Sequence, residues 1–445
     1  MNRQTGIAER SEPPPAARQP ESCGRCHARR NTLTEHYEYG KPLADTHLPA
    51  LLQDGLYHAD GRILDEVYVY GSFAQSRMHA AGVTCTDCHN PHSGRLHGGA
   101  DANAVCAQCH LPQTFAGTAH GGEQAGACVD CHMPATTYMG VDERRDHSLR
   151  IPGAGDAPTH YGQAIAAGRA GPANDTLLAA LRRESPAIAT ATMLTLLQPS
   201  RDAGVAAAVA EGLRDADPLV RIGGLRALSA LPVERRVALG SPLLRDPVRG
   251  VRVEAARTLA EVAPEVRGQD AEAFAGAVDE LRSALALTAS LPESAIRLAE
   301  LESGLGNMDA AAGHYRHALK LDERFAPARH AYGLFLVRAG QAVRALEYLR
   351  RAAELAPSSG RYVYVYGVAL HSLGHSEEAI AILAAAVDEF PGDFDIGWAL
   401  ATIRRDRGDI AGARAAALRL RSRFPGNADV DALLASLEAG GRPAR

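Results

Sequence analysis

The eight cysteines of this 445-residue chain all fall into four copies of one five-residue pattern. These are CGRCH at 23–27, CTDCH at 85–89, CAQCH at 106–110 and CVDCH at 128–132. C-x-x-C-H is the pattern of covalent haem attachment. Its two thiols are spaced to add to the two vinyl groups of one porphyrin, and the adjacent imidazole then lies under the ring as the proximal iron ligand. The spacing therefore predicts four covalently bound c-type haems. The thioethers would form at Cys23, Cys26, Cys85, Cys88, Cys106, Cys109, Cys128 and Cys131, with His27, His89, His110 and His132 on iron.

Other thiol chemistries predict less of the pattern. Cys85 to Cys109 also reads as C-x2-C-x17-C-x2-C, a zinc-ribbon spacing. Zinc does not require a histidine directly after the second cysteine, and neither does a disulfide or a redox dithiol. With histidine at roughly 4% of residues, four such coincidences have a chance probability on the order of 10⁻⁶ to 10⁻⁵.

Nine further histidines lie in the first 160 residues: His36, His47, His58, His79, His92, His97, His120, His147 and His160. Met78, Met133 and Met139 lie near the motifs. Spare imidazoles in this number favour bis-histidine iron, which has a lower potential than His/Met iron. The elements that must hold these groups are less evident. Residues 21–160 are rich in Gly, Pro and short polar turns, and the best helical stretch is DEVYVYGSFAQSRMHAAG at 65–82. A segment this short of apolar periodicity needs another material for its core, and haem would supply it.

Three stretches carry a resemblance: YVYGSFAQSRMHAAGVTCTDCHNPH at 68–92, CVDCHMPATTYM at 128–139 and RRDHSLRIP at 144–152. With them, residues 21 to about 152 resemble the multihaem cytochromes related to pentahaem cytochrome c nitrite reductase and hydroxylamine oxidoreductase. The whole chain is similar to bacterial proteins that fuse such a region to tetratricopeptide (TPR) repeats. The resemblance implies that histidines just before a C-x-x-C-H, or three after it, ligate a neighbouring haem. It makes His79, His92, His120 and His147 the sixth-ligand candidates, with His47 in reserve. The nitrite reductases carry a C-x-x-C-K motif at the catalytic haem, and this chain has none. That departure argues against nitrite reduction and favours electron relay. Longer relatives carry further haem motifs upstream, so the gene product is expected to begin before Met1, with a signal segment.

Beyond the cysteines the pattern turns helical. PAIATATMLTLL at 186–197, DPLVRIGGLRALSAL at 217–231 and DPVRGVRVEAARTLAEV at 246–262 align at a period of 31, with Leu197, Leu228 and Leu259 in register. This resembles HEAT-type helical repeats. From about residue 290 a period of 34 appears: Gly306, Gly340, Gly374, Gly408; Ala311, Ala345, Ala379, Ala413; Pro357, Pro391, Pro425. That is the tetratricopeptide period, giving four repeats over 292–427 and a capping helix at 428–439. The small residues are expected where paired helices approach, and the prolines at the turns between repeats.

The predicted fold is therefore mainly α. A disordered lead (1–20) precedes a haem-packed multihaem cytochrome domain with little regular structure (21–160). An α-solenoid follows, HEAT-like (161–285) and then TPR helical hairpins (286–445). A net charge of −5 gives no general basic surface for nucleic acid, and no run of 18 apolar residues encodes a transmembrane segment. Acidic residues outnumber Lys and Arg in residues 1–160, which suits a redox partner protein with a basic docking face. A peptide or protein subunit is expected on the concave TPR face, and a periplasmic or otherwise extracytoplasmic location follows from covalent haem attachment. Two other functions fit the same residues: reduction or oxidation of a small nitrogen or sulfur compound at a haem with an open sixth site, and a TPR assembly scaffold with accessory haems.

Overall fold

The computed structural model describes residues 18–99, 101–115, 126–138, 140–151, 159–200, 202–266 and 270–440. Among them the chain is mainly helical, with two short antiparallel strand pairs. It divides into two compact units, Met1–Leu287 and Thr288–Arg445. Of the expected disordered lead only residues 18–20 are described, and they open the helix Arg18–His27. An ion pair between Arg18 and Glu21 and a bond from the Ser22 hydroxyl to the Arg18 carbonyl hold that first turn.

In the first unit the later half is a succession of helices in sequence order. Ala187–Thr195 packs on Pro218–Ala227, which packs on Arg249–Ala260, and that on Asp270–Ala286. The 31-residue register is physical. Leu197, Leu228 and Leu259 are buried, as are Val220 and Val251. The arginine after each valine reaches toward the following repeat: Arg221 pairs with Asp246 at 2.9 Å and Arg252 with Glu280 at 2.6 Å. Asp217 caps its helix by accepting from the Leu219 N–H, with Pro218 at the first helical position. A Cβ on Gly223 would stand 2.7 Å from the Ala191 backbone, so glycine is what lets these two helices meet.

The earlier half of this unit has two parts. Residues 28–76 build a core against the helices. Leu43, Ala44, Leu51, Leu52, Tyr57 and Val67 are buried there. The Leu52 N–H donates to the Thr192 hydroxyl, Arg169 donates to the Leu52 and Tyr57 carbonyls, and the Arg249 N–H donates to Asp45. Strand Arg30–Thr32 pairs with His47–Pro49. From 77 to 137, in contrast, no described residue is buried. That stretch holds three of the four C-x-x-C-H motifs.

The helix expected over 65–82 is two short ones, Tyr70–Phe73 and Arg77–Ala80. Tyr68, at φ +60°, bars an earlier start. Between them the Gln75 side chain turns inward to donate to the Gly61 and Gly71 carbonyls, and Ser76 starts the second helix by accepting from the His79 N–H.

The second unit is a run of helical hairpins. They are Pro292–Gly304 with Met308–Leu321, Ala326–Arg338 with Ala342–Leu355, Gly360–Ser372 with Ser376–Glu389, and Phe394–Asp406 with Ile410–Arg423; Ala428–Gly440 closes the run. Ala311, Ala345, Ala379 and Ala413 are fully buried, as expected for close helix contact. The glycine ladder acts otherwise than expected. Gly306, Gly340, Gly374 and Gly408 occupy the turn inside each hairpin with φ of +74° to +88°, and a Cβ there would meet nothing. They serve the left-handed turn that ends the first helix, not helix packing. Close approach falls to Gly333 and Gly367, where a Cβ would lie 2.6 Å from Leu349 and 2.8 Å from Leu383.

Candidate functional site

Each motif starts on a short helix that begins at or before its first cysteine: Arg18–His27, Cys85–Cys88, Ala102–Ala107 and Cys128–His132. A helical turn brings two thiols three residues apart to one side. The second helix is fixed by a capping box, in which Thr84 and Asp87 satisfy each other's end of the turn. All eight thiols are free and none is buried, which leaves them accessible to a large group placed outside them.

Three of the thiols are held above the ordinary cysteine range. Burial and then the neighbouring Cys23 push Cys85 up to about 12, and burial and then Cys128 push Cys106 up to about 11. Burial, then Asp87, raises Cys88. Redox dithiols and zinc thiolates need the opposite shift. Among the described residues no three His, Cys, Asp or Glu side chains converge as ligands for a bare metal ion.

The imidazoles give the sharpest geometry. His89, the histidine of the second motif, faces His147 with ring centres 6.4 Å apart and planes 21° apart. Metal–imidazole bonds of about 2 Å on each side, with roughly 1 Å from nitrogen to ring centre, put two axial imidazoles about 6–6.5 Å apart. The His147 Nδ1 hydrogen-bonds the Arg145 carbonyl at 2.9 Å. With the proton on Nδ1, Nε2 keeps its lone pair for a metal. The two rings are kept neutral below the ordinary histidine range, chiefly by burial.

The strip 142–150 serves two motifs at once. Besides carrying His147 to the second, it holds the fourth. Arg145 donates to the Val129 and Met133 carbonyls and pairs with Asp130 at 3.1 Å, enclosing the C-x-x-C-H helix. The His132 Nδ1 meets the Arg150 carbonyl at 2.6 Å. These roles of Arg145 and Arg150 were not read from the sequence, although RRDHSLRIP was singled out. A carbonyl acceptor has no residue-type signature, and the arginine contacts are non-local.

The other sixth-ligand candidates are placed less tellingly. His79 is half-buried, edge-on to Phe73 at 5.3 Å, and lowered by burial against an opposing pull from Asp217. His92 is exposed in the turn after the second motif, where its N–H donates to Asn90. His120 lies outside the described residues. The reserve, His47, is buried in the strand pair with Nδ1 at 2.9 Å from the Thr46 hydroxyl; burial, then Arg30 and Arg25, lower it to about 4. His97 is bound through Nε2 to the Thr86 carbonyl and so is engaged elsewhere.

The donor set thus fits c-type haem at the second motif most fully: two thiols on one helical turn, a proximal imidazole, and a second neutral imidazole at axial spacing.

In the second unit, helices Ala326–Arg338, Gly360–Ser372 and Phe394–Asp406 carry half-buried aromatic and imidazole groups. His330 lies against Tyr362 at 4.5 Å, the Arg361 guanidinium stands over Tyr364, and Trp398 stacks on Phe394. Two family models match this unit. One describes the anaphase-promoting complex, cyclosome, subunit 3 and matches residues 305–386. The other, a tetratricopeptide repeat, matches 370–437.

Residues 305–437 are tetratricopeptide repeats.

Solved structures of TPR proteins are similar to part of the chain. YrrB, described as a TPR protein with an unusual peptide-binding site, is 22% identical, with 35% of this chain and 81% of that chain covered and a TM-score of 0.31. MamA is 18% identical (35% and 93% covered, TM-score 0.31), and PilF of Pseudomonas aeruginosa is 20% identical (43% and 85%, TM-score 0.33). No curated protein matches the chain. No described helix is long and apolar enough to cross a membrane.

Proposed function

We propose that the chain is a TPR docking protein whose first unit carries four c-type haems and relays electrons to or from the partner that the repeats hold. The docking half follows from the TPR array: stacked hairpins present a groove of first-helix side chains, and TPR arrays use such grooves to hold peptides or protein subunits. The aromatic groups on those helices give rigid contact area there.

The haem half is carried by one observation, the His89–His147 pair at axial spacing beside Cys85 and Cys88. The absence of any buried residue among those described from 77 to 137 supports it, because a stretch of this length cannot offset its ordering entropy without a core. A bound c-type haem supplies one-electron chemistry and that core together. In this arrangement the protein residues have separate tasks. Cys85 and Cys88 would anchor the haem and His89 and His147 would hold its iron, while the Arg145 carbonyl fixes the His147 tautomer and Arg145 and Arg150 fix the fourth motif. Covalent attachment of this kind is made outside the cytoplasm, so the protein belongs in the periplasm or another extracytoplasmic space.

Denaturing mass spectrometry of the intact chain, made with a c-type maturation system, tests the haem load. A mass increased by four haems is expected, and a mass with none would end the reading. In electron paramagnetic resonance of the oxidised protein, His147→Ala should convert one low-spin haem to high-spin and leave the others unchanged. For the docking half, the fragment 288–445 should retain partner binding that Tyr362→Ala with Trp398→Ala removes.

A further inference from the structure

The four motifs are not held independently. Helix Arg18–His27 packs on Cys85–Cys88, and helix Ala102–Ala107 packs on Cys128–His132. First meets second and third meets fourth.

One polar contact recurs in both. The Cys85 N–H donates to the Gln19 Oε1 at 3.1 Å, and the Cys128 N–H donates to the Asn103 Oδ1 at 2.7 Å. Gln19 stands four residues before Cys23 and Asn103 three before Cys106, so each amide sits one helical turn ahead of its own motif. Each reaches across to the first cysteine of the next motif. It satisfies one of the N–H groups that a helix start leaves without an internal partner, and ties that start to the neighbouring attachment helix.

We propose that Gln19 and Asn103 are pairing residues that lock the four motifs into two equivalent couples, first with second and third with fourth. The inference rests on the haem reading. Haems anchored on contacting helices are neighbours, and the amides set how one anchor helix is placed on the other.

Visible circular dichroism of the full haem-loaded chain reads the couples directly, since neighbouring haems give a split Soret couplet. With two equivalent couples, Gln19→Leu should remove about half of the couplet and Asn103→Leu the other half, while intact mass stays at four haems. Gln19→Glu and Asn103→Asp keep the acceptor oxygen and should keep the couplet. Four haems with an unaltered couplet in both leucine variants would overturn the inference, as would acidic variants that behave like leucine. A second measurement covers leucine variants that fail to fold. In the unsubstituted haem-loaded chain, the Cys85 and Cys128 amide protons should exchange slowly, and exchange at the free-amide rate would overturn the assignment. An unsubstituted chain with no covalent haem would instead overturn the haem reading itself.

Discussion

Residues 77–137 and residues 292–440 are opposite solutions to ordering a chain. The TPR unit fills its own interior: Tyr315, Leu349 and Leu383 are 0–1% exposed, and every hairpin buries an alanine against its neighbour. The other stretch has chemistry-bearing residues at close spacing and, among those described, no buried side chain. A packed interior leaves little room for a large group, and a stretch built around a large group has little interior without it. The comparison teaches where function is placed here. The haem reading puts the cofactor where the chain lacks a core, and the docking reading puts recognition on the outside of a core that is complete.

Withholding the cofactor should separate the two most strongly. With all eight cysteines changed to alanine, hydrogen exchange should show residues 77–137 without protection and residues 292–440 unchanged. Equal protection in both would break the comparison.

The helical half of the first unit sits between these extremes, because part of its interior is ionic. Glu254 is 2% exposed and is held by Arg226 at 3.2 Å and by Arg257. Burial works against its charge, but the two guanidiniums prevail and lower its carboxyl to about 2. Glu254→Leu leaves Arg226 without its partner and should cost about 3–5 kcal/mol in denaturant unfolding. In the unsubstituted chain the unfolded carboxyl takes up its proton first as pH falls. The stabilisation is therefore whole above about 4.5 and lost as pH drops toward 2. In Glu254→Leu that part of the acid dependence should be gone.

A matched pair of truncations compares the two regions directly. Leu383→Ala in the TPR core should cost about 2–5 kcal/mol. Leu96→Ala, on a half-buried leucine beside the second motif, should stay within about 0.5 kcal/mol in the haem-free chain. Similar costs for the two would mean that the haem region has a core of its own.

The smallest effect is expected at His330 in the TPR unit. Burial, then Arg361, lower its imidazole to about 4. The unfolded ring protonates first on acidification, so stability should decline slightly from about pH 6.5 down to about 4. In His330→Phe that shallow decline should vanish from the melting temperature of fragment 288–445.

What could be read from the sequence was whatever is written locally and repeatedly. Covalent attachment needs two thiols and an imidazole within five residues, so Cys85, Cys88 and His89 are legible as a set. A solenoid needs the same contact at each repeat, so Ala311, Ala345, Ala379 and Ala413 appear as a ladder before any coordinates. The glycine ladder was visible in the same way, yet its role was not. Packing and a left-handed turn both ask for glycine, and only the backbone angle at Gly306 and its equivalents tells them apart. His147 could be named as a candidate, but its partner could not, because the strip 142–150 reaches the second and fourth motifs through tertiary contacts. Gln19 and Asn103 gave no sequence signal at all, since an amide that caps a helix elsewhere in the chain looks like any polar surface residue. The sequence by itself determined which groups can do chemistry and where the repeats run, because those depend on spacing along the chain. The tertiary structure alone decided that His147 faces His89 and that the motifs meet in couples, because those depend on which distant segments share space.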